Sequence, residues 1–172
     1  MNTNTTRDRW FTLFLWVSVL AWGIGLGGKL FELVVVISAW SANPPASLSL
    51  IPYGPRYPHN PGDFFQPLSA ILVIATVGTL FSGWDKPRSY KLWLWVPLAS
   101  LLVIWMATPT LFWPMIQGLY GASTGAHPLS EPAARSLVNK WLLYDWVRTA
   151  LIAVGFVSSI RAISVSARSH EA

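Results

Sequence analysis

Four long apolar runs divide this chain, at residues 10–40, 65–84, 92–117 and 136–163. A helix needs about 20 predominantly apolar residues to cross the hydrocarbon core of a bilayer, and each run meets that length. The first and fourth exceed it, so they are expected to tilt or to project from the membrane. The runs are continuous rather than alternating with period two, which argues against a transmembrane barrel. The expected fold is all-α: a single integral membrane domain over residues 1–172, built as an up-down-up-down four-helix transmembrane bundle. Composition agrees. Charged residues make up only 11% of the chain and hydrophobic ones 53%, whereas an ordinary soluble domain carries about 25% charged residues.

The connections differ in kind. Residues 41–64 form a long loop with six prolines between Pro44 and Pro61, and residues 118–135 form a second long loop rich in glycine and proline. The turn at residues 83–91 is short and basic, with Lys86, Arg88 and Lys91. Loops as long as the first two are uncommon unless they serve a function or are disordered. Lys and Arg concentrate on the cytoplasmic side of membrane proteins. Arg7, Arg9, Lys86, Arg88, Lys91, Arg161 and Arg168 fall on one side of the expected bundle, against mainly Arg56, Arg135 and Lys140 on the other. Both termini are therefore expected in the cytoplasm, with the two long loops outside, as for a protein of the bacterial inner membrane. The first run is far longer than the roughly 7–15 apolar residues of a signal peptide, so it reads as a retained span.

Several chemistries are excluded. The chain has no cysteine, which rules out disulfides, thiolate catalysis and cysteine-held zinc or iron–sulfur sites. The net charge of +5 reflects topology rather than nucleic-acid binding. Of the three histidines, His59 and His127 lie in the outer loops and His170 in the C-terminal tail. No span offers a haem ligand. A metal site would require His59 and His127 to converge with Asp63 or Glu131, and the expectation is that no metal or cofactor is held.

Charges within the spans carry the functional signal. Lys29 and Glu32 lie in the first run, Asp145 and Arg148 in the last, each pair at i,i+3 spacing. Insertion scales put a charge at a helix centre at about 2.5–3.5 kcal/mol, so such residues face a protein interior or a water-filled space and take partners. Residues at i,i+3 share a helix face. Each pair is either a structural ion pair or a carboxylate tuned by an adjacent cation, and Arg148 lies deep enough to reach for Glu32 across the bundle. Gln66, Thr108, Gln117 and Asn139 map to the same outer half as these four charges. That asymmetry suggests a site open to the outer face. Gly23, Gly28 and Lys29 fit the front of a phosphate-binding loop, but no strand precedes them and Leu30 stands where Ser or Thr would hold magnesium. Gly23 and Gly27 read better as a G-x-x-x-G packing face. Pro109 is expected to kink the third span.

Gly28, Phe31, Glu32, Val34, Val35 and Trp40, then Pro44, Pro45 and Ser47, then Phe64, Phe65 and Pro67, resemble the N-terminal pattern of the DUF1772 family, whose best-known branch is the anthrone oxygenases. Asn139, Trp141, Trp146, Arg148 and Thr149 resemble the family's closing helix. The resemblance implies a small four-helix membrane protein. In the anthrone-oxygenase branch it implies insertion of dioxygen into an activated aromatic carbon without metal or flavin, on a lipophilic aromatic or polyketide-like substrate. Such chemistry needs a base, an oxyanion donor and a dry aromatic pocket. The resemblance puts Glu32 in the role of base and Arg148 or Lys29 in that of donor, with Asp145 beside them. Trp40, Phe65, Trp113 and Trp141 would stack the substrate, and Gln66 and Asn139 would line the same place. The alternative is a non-catalytic small subunit or scaffold of a larger membrane complex, or a homo-oligomer in which the tryptophans and loops are contact surfaces. A proton-coupled carrier is weaker, because the halves show no internal repeat.

Overall fold

The structure, a computed structural model, describes residues 3–168; His170 lies outside them. The described chain is all-helical, with no strand. Helix α1 (Thr3–Phe31) passes without a break into a π-helical stretch, Glu32–Ile37, and a last α turn, Ser38–Ser41. Helix α2 is Pro61–Ser82. Helix α3 (Arg88–Ala107) runs through a second π-helical stretch, Thr108–Phe112, into α4 (Trp113–Ser123). Helix α5 is Glu131–Arg168. Four stretches are long and apolar enough to cross a membrane: Thr6–Ser41, Pro61–Ser82, Tyr90–Ser123 and Glu131–Ser164.

Each continuous helical stretch is longer than the corresponding apolar run, and the end chemistry explains why. Helix α2 starts at Pro61 rather than at residue 65. Asn60 is its N-cap: the Asn60 Oδ1 accepts from the Gly62 N–H at 2.8 Å, and Asp63 Oδ2 accepts from the Asn60 N–H at 2.9 Å. Pro61 fills the first helical position, where no N–H is needed. Helix α4 continues past residue 117 to Ser123. Gly118 and Gly121 do not break it, because each lies against a neighbour: Leu137 for Gly118 and His127 for Gly121. It stops at a C-cap, where Thr124 N–H bonds to Tyr120 O at 3.1 Å and Gly125 adopts φ +76°, a left-handed conformation that glycine takes without strain. Helix α5 begins at Glu131, with Pro132 in its first turn. The expected loops 41–64 and 118–135 therefore shrink to 42–60 and 124–130.

The chain forms two compact units. The first takes the residues up to Leu26, Phe65–Val103 and the residues from Ala150 on; the second takes Gly27–Phe64 and Ile104–Thr149.

In the first unit a core of Phe11, Leu15, Leu80, Tyr90, Leu94 and Ala162 draws on α1, α2, α3 and α5. Glycines let the helices close around aromatic rings. A Cβ on Gly155 would stand 2.7 Å from the Trp22 ring, one on Gly78 2.8 Å from Phe14, and one on Gly23 3.1 Å from Phe156. Gly27 meets nothing within 4 Å. The expected Gly23–Gly27 face thus does not pack as a pair; the glycines serve singly as seats for rings. The start of α1 is tied to the short basic turn. Arg7 pairs with Asp85 and donates through Nε to Ser82 O at 3.0 Å, and Lys86 Nζ donates to Asp8 Oδ1 at 2.9 Å.

In the second unit the core is Leu33, Ile37, Trp40, Leu48, Ile51, Phe112, Met115, Leu119, Ala134, Val138 and Trp141. The Pro-rich loop contributes to it. A 3₁₀ turn, Ala46–Leu50, buries Leu48 completely and is followed by Ile51, 2% exposed. Ser47 Oγ donates to Trp40 O at 2.6 Å and accepts from the Asn43 N–H at 3.0 Å. Further along, the loop turns at Gly54, φ +88°, with Tyr120 lying where a side chain would be.

A buried four-charge cluster as the candidate functional site

The second unit holds the four charges singled out above, Lys29, Glu32, Asp145 and Arg148. Lys29 closes the last turn of α1, and Glu32 opens the π stretch that follows. Lys29 Nζ lies 2.5 Å from Glu32 Oε2 and 2.8 Å from Asp145 Oδ1. Arg148 Nη2 pairs with the same Asp145 oxygen. One lysine thus joins a carboxylate on its own helix to a carboxylate on α5, and the arginine closes the chain of charges. The Arg148 guanidinium takes Asp145 as its carboxylate rather than Glu32, so the expected Arg148–Glu32 reach is replaced by the Lys29 bridge.

Burial makes this arrangement costly to disturb. Lys29 is 1% exposed, Asp145 0% and Glu32 9%. A buried lysine without a partner would be strongly destabilising; here two carboxylates compensate it. Removing one member of such a buried pair typically costs about 3–5 kcal/mol, because the remaining charge is stranded.

The walls are aromatic. The Arg148 guanidinium sits 4.0 Å from the centroid of the Phe112 ring, a cation–π contact strengthened by desolvation. Phe112 meets Trp141 edge-on at 5.2 Å, and Trp141 meets Trp40 edge-on at 6.1 Å. On α5, Ala134, Val138, Trp141, Asp145 and Thr149 form one buried stripe with three- and four-residue spacing. Three buried polar atoms here have no hydrogen-bond partner among the described residues: Asp145 Oδ2, Arg148 Nε and Trp141 Nε1.

Tyr53 completes the surroundings from the loop. It packs against the second unit's core. Its phenol is pushed up to about 12, by burial first and then by the negative charge of Glu32, with Asp145 adding and Arg148 opposing. The hydroxyl is therefore a neutral donor throughout the physiological range.

Of the residues expected to bind substrate, Trp40 and Trp141 lie in this aromatic wall. Trp113 does not: it is 55% exposed, and its neighbour Phe112 takes the inner position. The cause is the π stretch before it, which inserts an extra residue into the turn and rotates everything that follows. Asn139 is exposed because it falls off the buried stripe of α5. Gln66 is exposed, Phe65 is half-buried, and both belong to the first unit. Phe112 and Tyr53 were not singled out by sequence. Neither stands out from the aromatic residues around it in the sequence. His59 Nδ1 lies 3.7 Å from Asp63 Oδ2, both exposed, and among the described residues no three His, Asp or Glu side chains gather as metal ligands.

Fold and site together define a small polytopic helical membrane protein with an ionic cluster in its apolar interior. Residues 59–158 match the family model described as anthrone oxygenase, more than half of the sequence, and the chain belongs to that family. The match takes in Phe112, Trp141, Asp145 and Arg148; Lys29 and Glu32 precede it. No curated protein and no solved structure matches the chain.

Proposed function

We propose that this protein is a membrane-embedded oxygenase that acts on a lipophilic aromatic substrate at the Lys29–Glu32–Asp145–Arg148 cluster, with its long loops outside the cytoplasm. The observation that carries the reading is the buried lysine held between two carboxylates against an aromatic wall, in a chain of the anthrone oxygenase family. The arrangement offers the parts that cofactor-independent oxygenation needs. Glu32, the more accessible carboxylate, takes a proton from the activated ring CH₂. Lys29 and Arg148 stabilise the enolate that forms. The carbanion passes an electron to dioxygen, and the two radicals combine into a C–O bond. The resulting hydroperoxide loses water, so CH₂ and O₂ become C=O and H₂O. Phe112, Trp141 and Trp40 supply flat apolar surface for the ring system.

Anthrone is the direct test. Protein in lipid nanodiscs should consume dioxygen and anthrone one for one and yield anthraquinone. General-base catalysis is typically worth about 10²–10⁴-fold, so Glu32→Gln should lower turnover by about that factor when assayed below the variant's own unfolding midpoint, which the loss of one partner of Lys29 is expected to lower. An unchanged rate in Glu32→Gln removes this carboxylate from the mechanism, and a wild-type protein inert toward anthrone and related hydroxylated rings argues against the oxygenase reading.

A further inference from the structure

One end of the first unit gathers the starts of α1 and α3, the end of α2 and the late part of α5. Phe11, Leu80, Tyr90 and Ala162 from these four helices share a buried core, with the Phe11 and Tyr90 rings 5.4 Å apart. Six cations flank these residues in the chain: Arg7, Arg9, Lys86, Arg88, Lys91 and Arg161. Only two acids, Asp8 and Asp85, stand among them. Both acids are taken. Arg7 pairs with Asp85, and Lys86 Nζ donates to Asp8 Oδ1 at 2.9 Å. Arg7 also donates to the last carbonyls of α2, Ser82 O at 3.0 Å and Phe81 O at 3.3 Å. Arg9, Arg88 and Arg161 are exposed and have no acidic partner among the described residues. Lys91 Nζ lies 5.1 Å from the centroid of the Trp84 ring instead. Four positive charges are left uncancelled around one core.

Tryptophan marks their depth. Trp84 is 57% exposed and Trp10 52%, and exposed tryptophans at the ends of spans rest at the level of the lipid headgroups. Lys91 on the Trp84 ring shares that level, and Arg9 adjoins Trp10 in the chain. Cations at this depth meet lipid phosphates. We propose that Arg9, Arg88, Lys91 and Arg161 form a binding surface for anionic phospholipid headgroups of the surrounding bilayer. A phosphatidylcholine headgroup carries its own cation, so the surface selects by net charge. The four cations come from three helices and none is buried, which suits headgroups along a rim rather than one free phosphate ion held at a point. Orientation in the membrane accounts for cations on one side, yet acids contribute little to it. The pairing of both acids is what leaves this end uniformly positive. The surface uses no residue of the four-charge cluster and does not depend on the oxygenase reading.

Lipid competition tests this. The full chain in mild detergent is stripped of lipid, offered equimolar dioleoylphosphatidylglycerol and dioleoylphosphatidylcholine, and the lipids retained are counted by native mass spectrometry. Attraction to an anionic membrane surface is worth roughly fivefold per basic residue, so the wild type should retain the anionic lipid at least about fivefold over the zwitterionic one. The variant with Arg9→Gln, Arg88→Gln, Lys91→Gln and Arg161→Gln together should fall to near parity. Arg56→Gln with Lys140→Gln, which removes two exposed cations of the second unit, should keep the preference. Parity in the wild type overturns the surface, and that comparison stands even where the fourfold variant fails to fold. A preference that survives in the fourfold variant, or that vanishes equally in the Arg56 and Lys140 control, places the lipid elsewhere and also overturns it. Inorganic phosphate added at the lipid concentration should leave the preference unchanged; its loss would show a site for a free anion instead of a headgroup.

Discussion

At the scale of single residues, Lys29 decides the stability of the site. It is the one group that touches both carboxylates, so Lys29→Met takes the cation from buried Glu32 and leaves Asp145 to Arg148 alone. The expected cost is about 3–5 kcal/mol, read as a lowered unfolding midpoint in detergent. Replacing the whole cluster (Lys29→Met, Glu32→Gln, Asp145→Asn and Arg148→Met together) should restore most of that loss, since buried ion pairs exchanged for neutral groups are often energetically neutral. A fourfold variant no more stable than Lys29→Met would show that the charges hold the fold for some other reason. Tyr53 gives a pH prediction. Its folded pKa, about 12, lies above the ordinary phenol value of 10.0, so the unfolded chain loses this proton first. Its contribution is fully present below pH 10 and is lost as pH rises toward 12. Unfolding midpoints should fall over that window, and Tyr53→Phe should flatten the fall; an identical alkaline limb in the variant counts against the phenol's burial. The four charges were legible in the sequence because ions inside apolar runs stand out. Their pairing was not, because i,i+3 spacing shows who shares a face and says nothing of who lies across from it.

At the scale of elements, glycine seats and π stretches shape the helices. Gly155 lies in the middle of α5 with the Trp22 ring against it, and Trp22 is 1% exposed and cannot retreat. Gly155→Ala should therefore destabilise by about 1–3 kcal/mol, the usual cost of overpacking. Gly27 faces open space, so Gly27→Ala should be neutral or stabilise by up to about 1 kcal/mol through helix propensity. Thermal melts of both proteins check the contrast, and equal effects would contradict the ring-seat geometry. Helix existence was readable from apolar length, and α5's buried stripe followed from its period. Phe112 and Trp113 exchanged roles because the sequence carries no mark of a π turn beyond Pro109, which predicts a disturbance without its direction. The ends of α2 and α5 were misjudged by hydropathy alone. Asn60, Pro61 and Asp63 state the start of α2 in capping chemistry, which an apolar window does not weigh.

At the scale of the whole molecule, the positive-inside bias and the fold's own ion pairs agree. Arg7 and Lys86 tie the start of α1 to the short basic turn, as expected if both lie at one membrane surface. The absence of native cysteine makes orientation directly measurable. A cysteine placed at Arg56, exposed in the Pro-rich loop, should react with a membrane-impermeant maleimide in intact cells. One placed at Trp84, exposed in the basic turn, should react only after permeabilisation. The reverse pattern would invert the proposed topology.

The ionic cluster has one more consequence. Two cations and two carboxylates sum to zero formal charge, so a neutral guest enters and a neutral product leaves without altering the total. A transmembrane voltage does work only on net charge displaced along its field. In the mechanism proposed above, a proton passed from ring to carboxylate a few ångströms away moves almost none, and turnover by that mechanism runs at one pace in a resting and in an energised membrane.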